Sequence, residues 1–411
     1  MKRRTEDPGE SESKVPRTEE RPHSVFHVTP IESLHSEVLP SFRKPVEVGC
    51  FSLDVDRKFH DDNHQLKYFH PPRTIDFDLR AGYKDYVERD DDVKEHLDHL
   101  LMWINKHRER FELPKKDSVE NGQAASSQAF TNLHTDFITW RGHVTKLLVT
   151  PYEIREPWKF AATLHKGTIY ISEIETQEAY DKRKNMEEKH KEMCYWGHKF
   201  ETYVCRLVSE KLKKKSGEMP STSTDAAASS ADAPKKQSPV NNSEGFVSVV
   251  RTRLERHSMV FGAEVDCCTR ETEESPGNYI ELKTSNHPHS HHQHWSFKRY
   301  KLLKWWAQSF LAGIPKIICG FRHHHGKVNE LQTYNTLEIP RMVRNEDNMW
   351  DMNICLNFLN KFLDWVKMVV TEDDPKKVYI FSFKSPFENI IMEDCKNGEN
   401  SFLPEWFTKE T

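Results

Sequence analysis

The 411-residue chain has no apolar run long enough to cross a bilayer, so no membrane partner is expected. It carries no signal-peptide pattern. Its 8 cysteines form no C-x-x-C pair and keep no regular spacing, and the adjacent Cys267 and Cys268 are not expected to bond each other. Together these absences predict a reducing, intracellular setting. An excess of positive charge is missing too: the formal net charge is -4, so no global basic field advertises nucleic acid, although a local basic cleft stays open. No internal repeat is present. What remains is 36% hydrophobic and 30% charged, enough for a globular core with polar additions.

The chain is organised around residues 262–283, where GAEVD and NYIELKTS flank a turn at Pro276, Gly277 and Asn278. Glu264 and Asp266 are two apart, as are Glu281 and Lys283, and in a strand such pairs share a face. The spacers Val265 and Leu282 then point into a buried layer. Two neighbouring strands would present three carboxylates and one lysine together. That much buried negative charge needs a cation, and all-oxygen ligands suit Mg²⁺ or Mn²⁺. The competing reading is a hairpin with two charged outer faces, a common pattern on strands.

Along the chain, residues 1–24 are polar and expected to be disordered. Lys2, Arg3, Arg4, Lys14 and Arg17 read equally as a nuclear-import signal or a solvated tail. Residues 45–57 predict a strand and 93–107 a helix packing Val93, Leu97, Leu100, Leu101 and Ile104. Arg141, between Trp140 and Gly142, is either an anion ligand or a surface arginine. Residues 159–175 predict a hairpin turning at Lys166 and Gly167. In YWGHKFETYVCRL, Glu201 sits among Phe200, Tyr203 and Val204, where a metal or a buried partner would account for it; a boundary carboxylate is the alternative. Residues 211–244 are low-complexity and read as a flexible insertion. SNHPHSHHQH and the HHH at 323–325 read as solvated loops rather than zinc sites. Residues 297–311 predict a helix ending before Gly313, with Lys301, Lys304 and Gln308 on a face that suits a phosphate chain or plain solvent. PKIICGFR and KVYIFSF predict strands, with a helix at 353–370 between them.

D/E followed by ExK resembles the PD-(D/E)XK nuclease superfamily. The ordered set TWRG, GHKFE, EVD, ELK, KWWAQSF and GFR resembles the decapping and exoribonuclease family, over residue 40 to the C-terminus. CFSLD and the LDHLL helix resemble its animal members. The resemblance implies one mixed α/β domain over 25–411, with a mostly antiparallel core sheet, a second sheet and surrounding helices. It implies hydrolysis of incomplete and NAD-type RNA caps, 5′-to-3′ degradation of the exposed RNA and a role in RNA 5′-end quality control; the basic tail residues add the expectation of a nuclear setting, with the cytoplasm as a second. Two Mg²⁺, replaceable by Mn²⁺, would be held by Glu201, Glu264, Asp266, Glu281 and the Leu282 carbonyl. Lys283 and Gln308, with Glu264, would meet the scissile phosphate and attacking water. Trp140, Arg141 and Gly142 would take the RNA backbone, and Arg57 and Glu95 the 5′-terminal nucleotide. Two other classes stay open: a DNA nuclease of the same superfamily, and a non-catalytic or weakly catalytic activator of a separate 5′-3′ exoribonuclease, since some fungal relatives are partners of such an enzyme.

Overall fold

The computed structural model describes residues 24–28, 31–111, 132–207, 239–269, 274–395 and 398–409. The basic clusters of the N-terminal tail and most of the low-complexity stretch lie outside these residues.

Strict alternation builds the larger sheet. In Gly245–Leu254, Phe246 and Val250 enter one apolar cluster while Val247 and Val249 enter another. Met259 and Phe261 oppose Val260 in the same way, as Phe160 and Ala162 oppose Ala161. Both faces are therefore buried, and each needs a covering layer. One face is covered by the helices Arg141–Val149, Leu303–Ala312 and Met352–Val369, and the other by Asp98–Lys106 with Phe402, Leu403 and Phe407.

This sheet has ten strands, in the order Val25–His27, Asn389–Cys395, Val378–Phe383, Trp158–His165, Thr168–Glu173, Phe137–Trp140, His257–Glu264, Gly245–Leu254, Phe42–Leu53 and Phe59–His60. It is mostly antiparallel; Phe137–Trp140 pairs in parallel with both of its neighbours. A second sheet of seven strands runs Phe77–Asp78, Lys327–Asn335, Lys316–Arg322, Tyr279–Asn286, Cys267–Cys268, Lys67–Phe69 and Cys205–Leu207. Ile280, Leu282 and Ile318 on one face pack against Tyr195, Trp196, Phe200 and Val204 of helix Glu188–Val204. The expected mixed α/β architecture with two sheets is what the chain adopts.

Several local expectations change. The helix expected at 93–107 begins only at Asp98, and Val93 lies exposed. The histidine-rich stretch is partly helical: Ser290 and Gln293 form a reciprocal capping box at the start of His291–Ser296, which leads through a wide turn at Phe297–Leu302 into Leu303–Ala312. The end of the supposed insertion is ordered. Val240 is buried, and Asn242 Oδ1 accepts the Arg89 backbone N–H at 2.6 Å.

Candidate active site

The central motif does not lie on two paired long strands. His257–Glu264 belongs to the ten-stranded sheet and Tyr279–Asn286 to the seven-stranded one. Val265 and Asp266 carry the chain across, and only the two-residue strand Cys267–Cys268 pairs with Tyr279–Ile280. Glu264 thus ends one sheet and Asp266 opens the other. Val265 and Leu282 are buried as expected.

The strand partner ends at Cys267, so the next edge position of Tyr279–Asn286 is open. Asp266 fills it: its Oδ2 accepts the Leu282 N–H at 2.6 Å. The N–H and C=O of one strand residue face the same edge. The Leu282 carbonyl therefore faces the Asp266 side, where no strand among the described residues pairs with it.

Glu281 is only 3% exposed, mid-strand. Its Oε1 accepts from Lys283 Nζ at 2.6 Å, and Arg141 Nη1 stands 3.7 Å from its Oε2. That Oε2 makes no hydrogen bond, and neither does Arg141 Nη1. Arg141 Nη2 also donates to the Glu264 carbonyl at 3.4 Å. Glu201 accepts from Lys67 Nζ at 3.0 Å, with His198 Nδ1 3.7 Å from its other oxygen.

These groups feel each other's charge. Burial pushes Asp266 well above the usual carboxylate range, and Glu281 and Glu201 push it the same way. Burial would raise Glu281 too, but Lys283 and then Arg141 outweigh it and hold Glu281 below its ordinary value. Glu201 is likewise held down against its burial, chiefly by Lys67. Three mutually repelling carboxylates, one of them with an orphaned buried oxygen, supply an oxygen-only donor set. It fits a hard divalent cation.

Close packing aims the site. A Cβ on Gly262 would meet the Trp140 ring at 2.4 Å, and one on Gly320 would meet Phe200 at 2.7 Å. Both glycines let a ring lie on a strand beside Arg141 or Glu201. Trp140 Nε1 donates to the His96 carbonyl at 2.6 Å and leads into helix Arg141–Val149, whose N-terminus has no side-chain cap. Gly142 opens onto free space there. A helix N-terminus without a side-chain cap suits a phosphate.

Arg57 and Glu95 meet each other. Arg57 Nε and Nη2 clasp Glu95 at 2.9 and 2.6 Å, and Nη1 donates to the Ser243 carbonyl at 2.9 Å. Arg89 adds a bond to Glu95 at 3.1 Å. Glu95 precedes His96, so this unit joins the carboxylates through Trp140 and Arg141.

The anticipated face of helix 297–311 divides. Lys301, an exposed residue, donates to Ser285 Oγ at 2.8 Å, whereas Lys304 pairs with Glu153 at 3.4 Å. Gln308 is half-buried on Leu303–Ala312, and among the described residues it makes no hydrogen bond to the carboxylates. Lys67 was missed by sequence reasoning. Its short strand carries no motif, and its partner lies 134 positions away.

The family model for "RAI1 like PD-(D/E)XK nuclease" matches residues 43–408. The chain is similar to the decapping and exoribonuclease protein of Xenopus laevis, at 42% identity over 92% of this chain and 88% of that protein. It is similar to the human protein of that name at 39%, over 92% and 88% of the two chains. A crystal structure of Scheffersomyces stipitis Rai1 in complex with (3′-NADP)+ and calcium ion superposes with a TM-score of 0.71 at 24% identity, covering 90% of this chain and 96% of that one. One of Candida albicans Rai1 in complex with pU5-Mn²⁺ gives 0.69 at 24% identity, covering 90% and 93%.

Proposed function

The chain belongs to the RAI1-like PD-(D/E)XK nuclease family, and from that premise we propose that it hydrolyses RNA 5′ ends with a divalent metal, removing incomplete and NAD-type caps and then degrading the RNA 5′ to 3′. The observation that carries this reading is the buried Glu281, with one oxygen on Lys283 and the other lacking any hydrogen bond, beside Asp266 and Glu201. The names of the animal relatives and the NADP- and pU5-bound fungal neighbours support the substrate class.

In this reading Glu201, Glu264, Asp266, Glu281 and the Leu282 carbonyl would hold two Mg²⁺, or Mn²⁺ in their place. When bound, such ions supply Lewis-acid stabilisation of phosphoryl charge. Lys283 sets a point charge beside the scissile phosphate. Arg141 and the uncapped helix N-terminus at Gly142 would take a backbone phosphate, with Trp140 as the wall behind them. Arg57 and Glu95 act as one preformed unit at the 5′-terminal nucleotide. Gln308 reaches the water or phosphate only once substrate is bound. A bidentate Arg–carboxylate pair fixes orientation as well as charge, which suits recognition of a chain end.

The proposal extends to one domain over 25–411 and to the nucleus, the latter resting on the basic residues 2–4, 14 and 17. An exoribonuclease partner rests on the resemblance to fungal members alone. Matched RNAs with NAD, unmethylated-cap, triphosphate and monophosphate ends, plus a DNA of the same sequence, provide the test with Mg²⁺ and with EDTA. Release of intact cap nucleotides followed by 5′-to-3′ shortening is expected, on RNA and with Mg²⁺ only. Full hydrolysis in EDTA, or equal cutting of circular RNA, would overturn the reading.

A further inference from the structure

We propose that His60, Asp62 and His64 form a second metal site, distinct from the carboxylate cluster, which takes a borderline divalent cation of the Zn²⁺ type. Each residue offers one ligand atom, and these atoms lie within 4.8 Å of one another. Two imidazoles and one carboxylate select Zn²⁺ or Co²⁺ over Mg²⁺, which prefers oxygen throughout.

The site is built on pinned backbone. His60 ends the edge strand Phe59–His60, which pairs with Ser52 and Leu53. Ser52 is wholly buried; its hydroxyl donates to the Asp62 carbonyl at 3.0 Å and accepts the Gln65 N–H at 3.2 Å. Asp62 Oδ1 accepts the His64 backbone N–H at 3.1 Å. The backbone beneath the three ligands is therefore fixed, while the side chains of Asp62 and His64 stay exposed.

The imidazole of His60 is oriented from behind. Its Nε2 lies 2.6 Å from Asp54 Oδ2, and the Asp54 carboxylate in turn accepts the backbone N–H of Asp56 at 3.0 Å and of Lys58 at 2.9 Å. A carboxylate on one ring nitrogen fixes the tautomer and leaves the other nitrogen bare, the arrangement that supports histidine ligands. His60 and His64 meet edge-on, with ring centroids 5.0 Å apart. His64 Nδ1 and Asp62 Oδ1 are 2.6 Å apart, with one hydrogen-bond proton between them. Ligands on a tetrahedral ion with bonds of about 2.0–2.1 Å stand roughly 3.3 Å apart, so the cation displaces that proton and opens the pair slightly. Asp61 points elsewhere, to His107 Nε2 at 2.8 Å, and is no ligand.

The turn held by Asp54 also carries Arg57 in a left-handed conformation, φ 61°. A cation on His60 would therefore staple the turn that presents Arg57 to Glu95.

The test uses the full chain in saturating Mg²⁺, which occupies the carboxylates. Co²⁺ is titrated by visible absorption and Zn²⁺ by calorimetry. Wild type should take one equivalent with the strong absorption of a four-coordinate ion. Asp54→Asn should weaken it by ~10–100-fold, and His60→Asn with His64→Asn should abolish it. A control pair, His287→Asn with His289→Asn, should leave it intact, since those stacked rings belong to another turn. Wild type taking no such equivalent would overturn the proposal, as would its survival in the His60/His64 pair. His64→Gln, changing one exposed side chain, repeats the measurement should the pair fail to fold.

Discussion

Lys67 donates to Glu201 at 3.0 Å, joining strand Lys67–Phe69 to helix Glu188–Val204 at the edge of the carboxylate cluster. The ammonium offsets one of the charges that a metal would otherwise balance. Lys67→Met should therefore destabilise the metal-free protein by about 1–3 kcal/mol, the cost of leaving a buried acceptor unsatisfied, at the low end because Lys67 is partly exposed. Ca²⁺ should cancel the loss. Melting curves in EDTA and in Ca²⁺ check this; equal losses in both would mean that Lys67 does something other than stand in for a cation.

Asp266→Asn should do the opposite. Burial, Glu281 and Glu201 all oppose the charge of Asp266. The amide removes that repulsion while the hydrogen bond from Leu282 can persist on its oxygen. We expect a higher melting temperature than wild type in EDTA, a smaller rise on adding Mg²⁺, and no hydrolysis. A lower melting temperature in EDTA would show that the carboxylates do not repel one another.

The acidic alternation of EVD and ELK was legible because strand periodicity and ligand chemistry are local properties. Glu201 was legible for a similar reason, as a charge among apolar neighbours. The crossing between sheets at Val265 and Asp266 was not: a two-residue strand such as Cys267–Cys268 leaves no period to read. Lys67 sits beside Glu201 only because Lys67–Phe69 lies between Cys267–Cys268 and Cys205–Leu207 in the second sheet. Residues 239–244 look like the polar stretch before them, yet the Ser243 carbonyl holds Arg57, a contact spanning 186 positions. The capping box at Ser290 and Gln293 was present in the sequence but masked by the surrounding histidines.

His143 predicts a pH response. Its Nδ1 lies 2.9 Å from the Thr139 hydroxyl, which donates onward to the Ile171 carbonyl. Burial lowers its pKa from 6.5 to about 3, and Lys146 adds to the effect. Below pH 6.5 the unfolded chain takes a proton that the folded one refuses, so stability falls as pH drops from 6.5 toward 3. Above 6.5 this group contributes no slope. His143→Gln should flatten that limb by on the order of 1 kcal/mol per pH unit. Denaturant titrations at pH 7, 6 and 5 measure the difference; unchanged slopes would mean that the ring is solvated.

The low-complexity stretch should be dispensable only in part. Removing residues 212–236 should leave turnover on short RNA near wild type, since long surface insertions cost little to close. Extending the cut through Ser243 removes the carbonyl that Arg57 uses and the Asn242 acceptor of Arg89. The longer deletion should weaken discrimination of 5′ ends and lower the melting temperature. Equal behaviour of the two deletions would remove Arg57 from the site.

Lys283 offers the sharpest test of the mechanism. It shares a strand face with Glu281 and donates to its Oε1 at 2.6 Å, so the ammonium stands where phosphoryl charge would develop. A compact point charge suits that place, whereas the wide planar fork of arginine needs more room. The interaction matters most when charge grows, so its loss should slow the chemical step more than it weakens RNA binding. By analogy with the loss of one transition-state donor, Lys283→Ala should reduce turnover by about 10²–10³. The same change also frees Glu281 Oε1, leaving both oxygens of a buried carboxylate without a hydrogen bond. Metal affinity should consequently hold or rise, which separates a catalytic lysine from a merely structural one. Single-turnover rates at saturating protein, with RNA and Ca²⁺ affinities measured alongside, decide the matter. An unchanged rate with intact binding would mean that the lysine only balances Glu281, and the central motif would lose its mechanistic role.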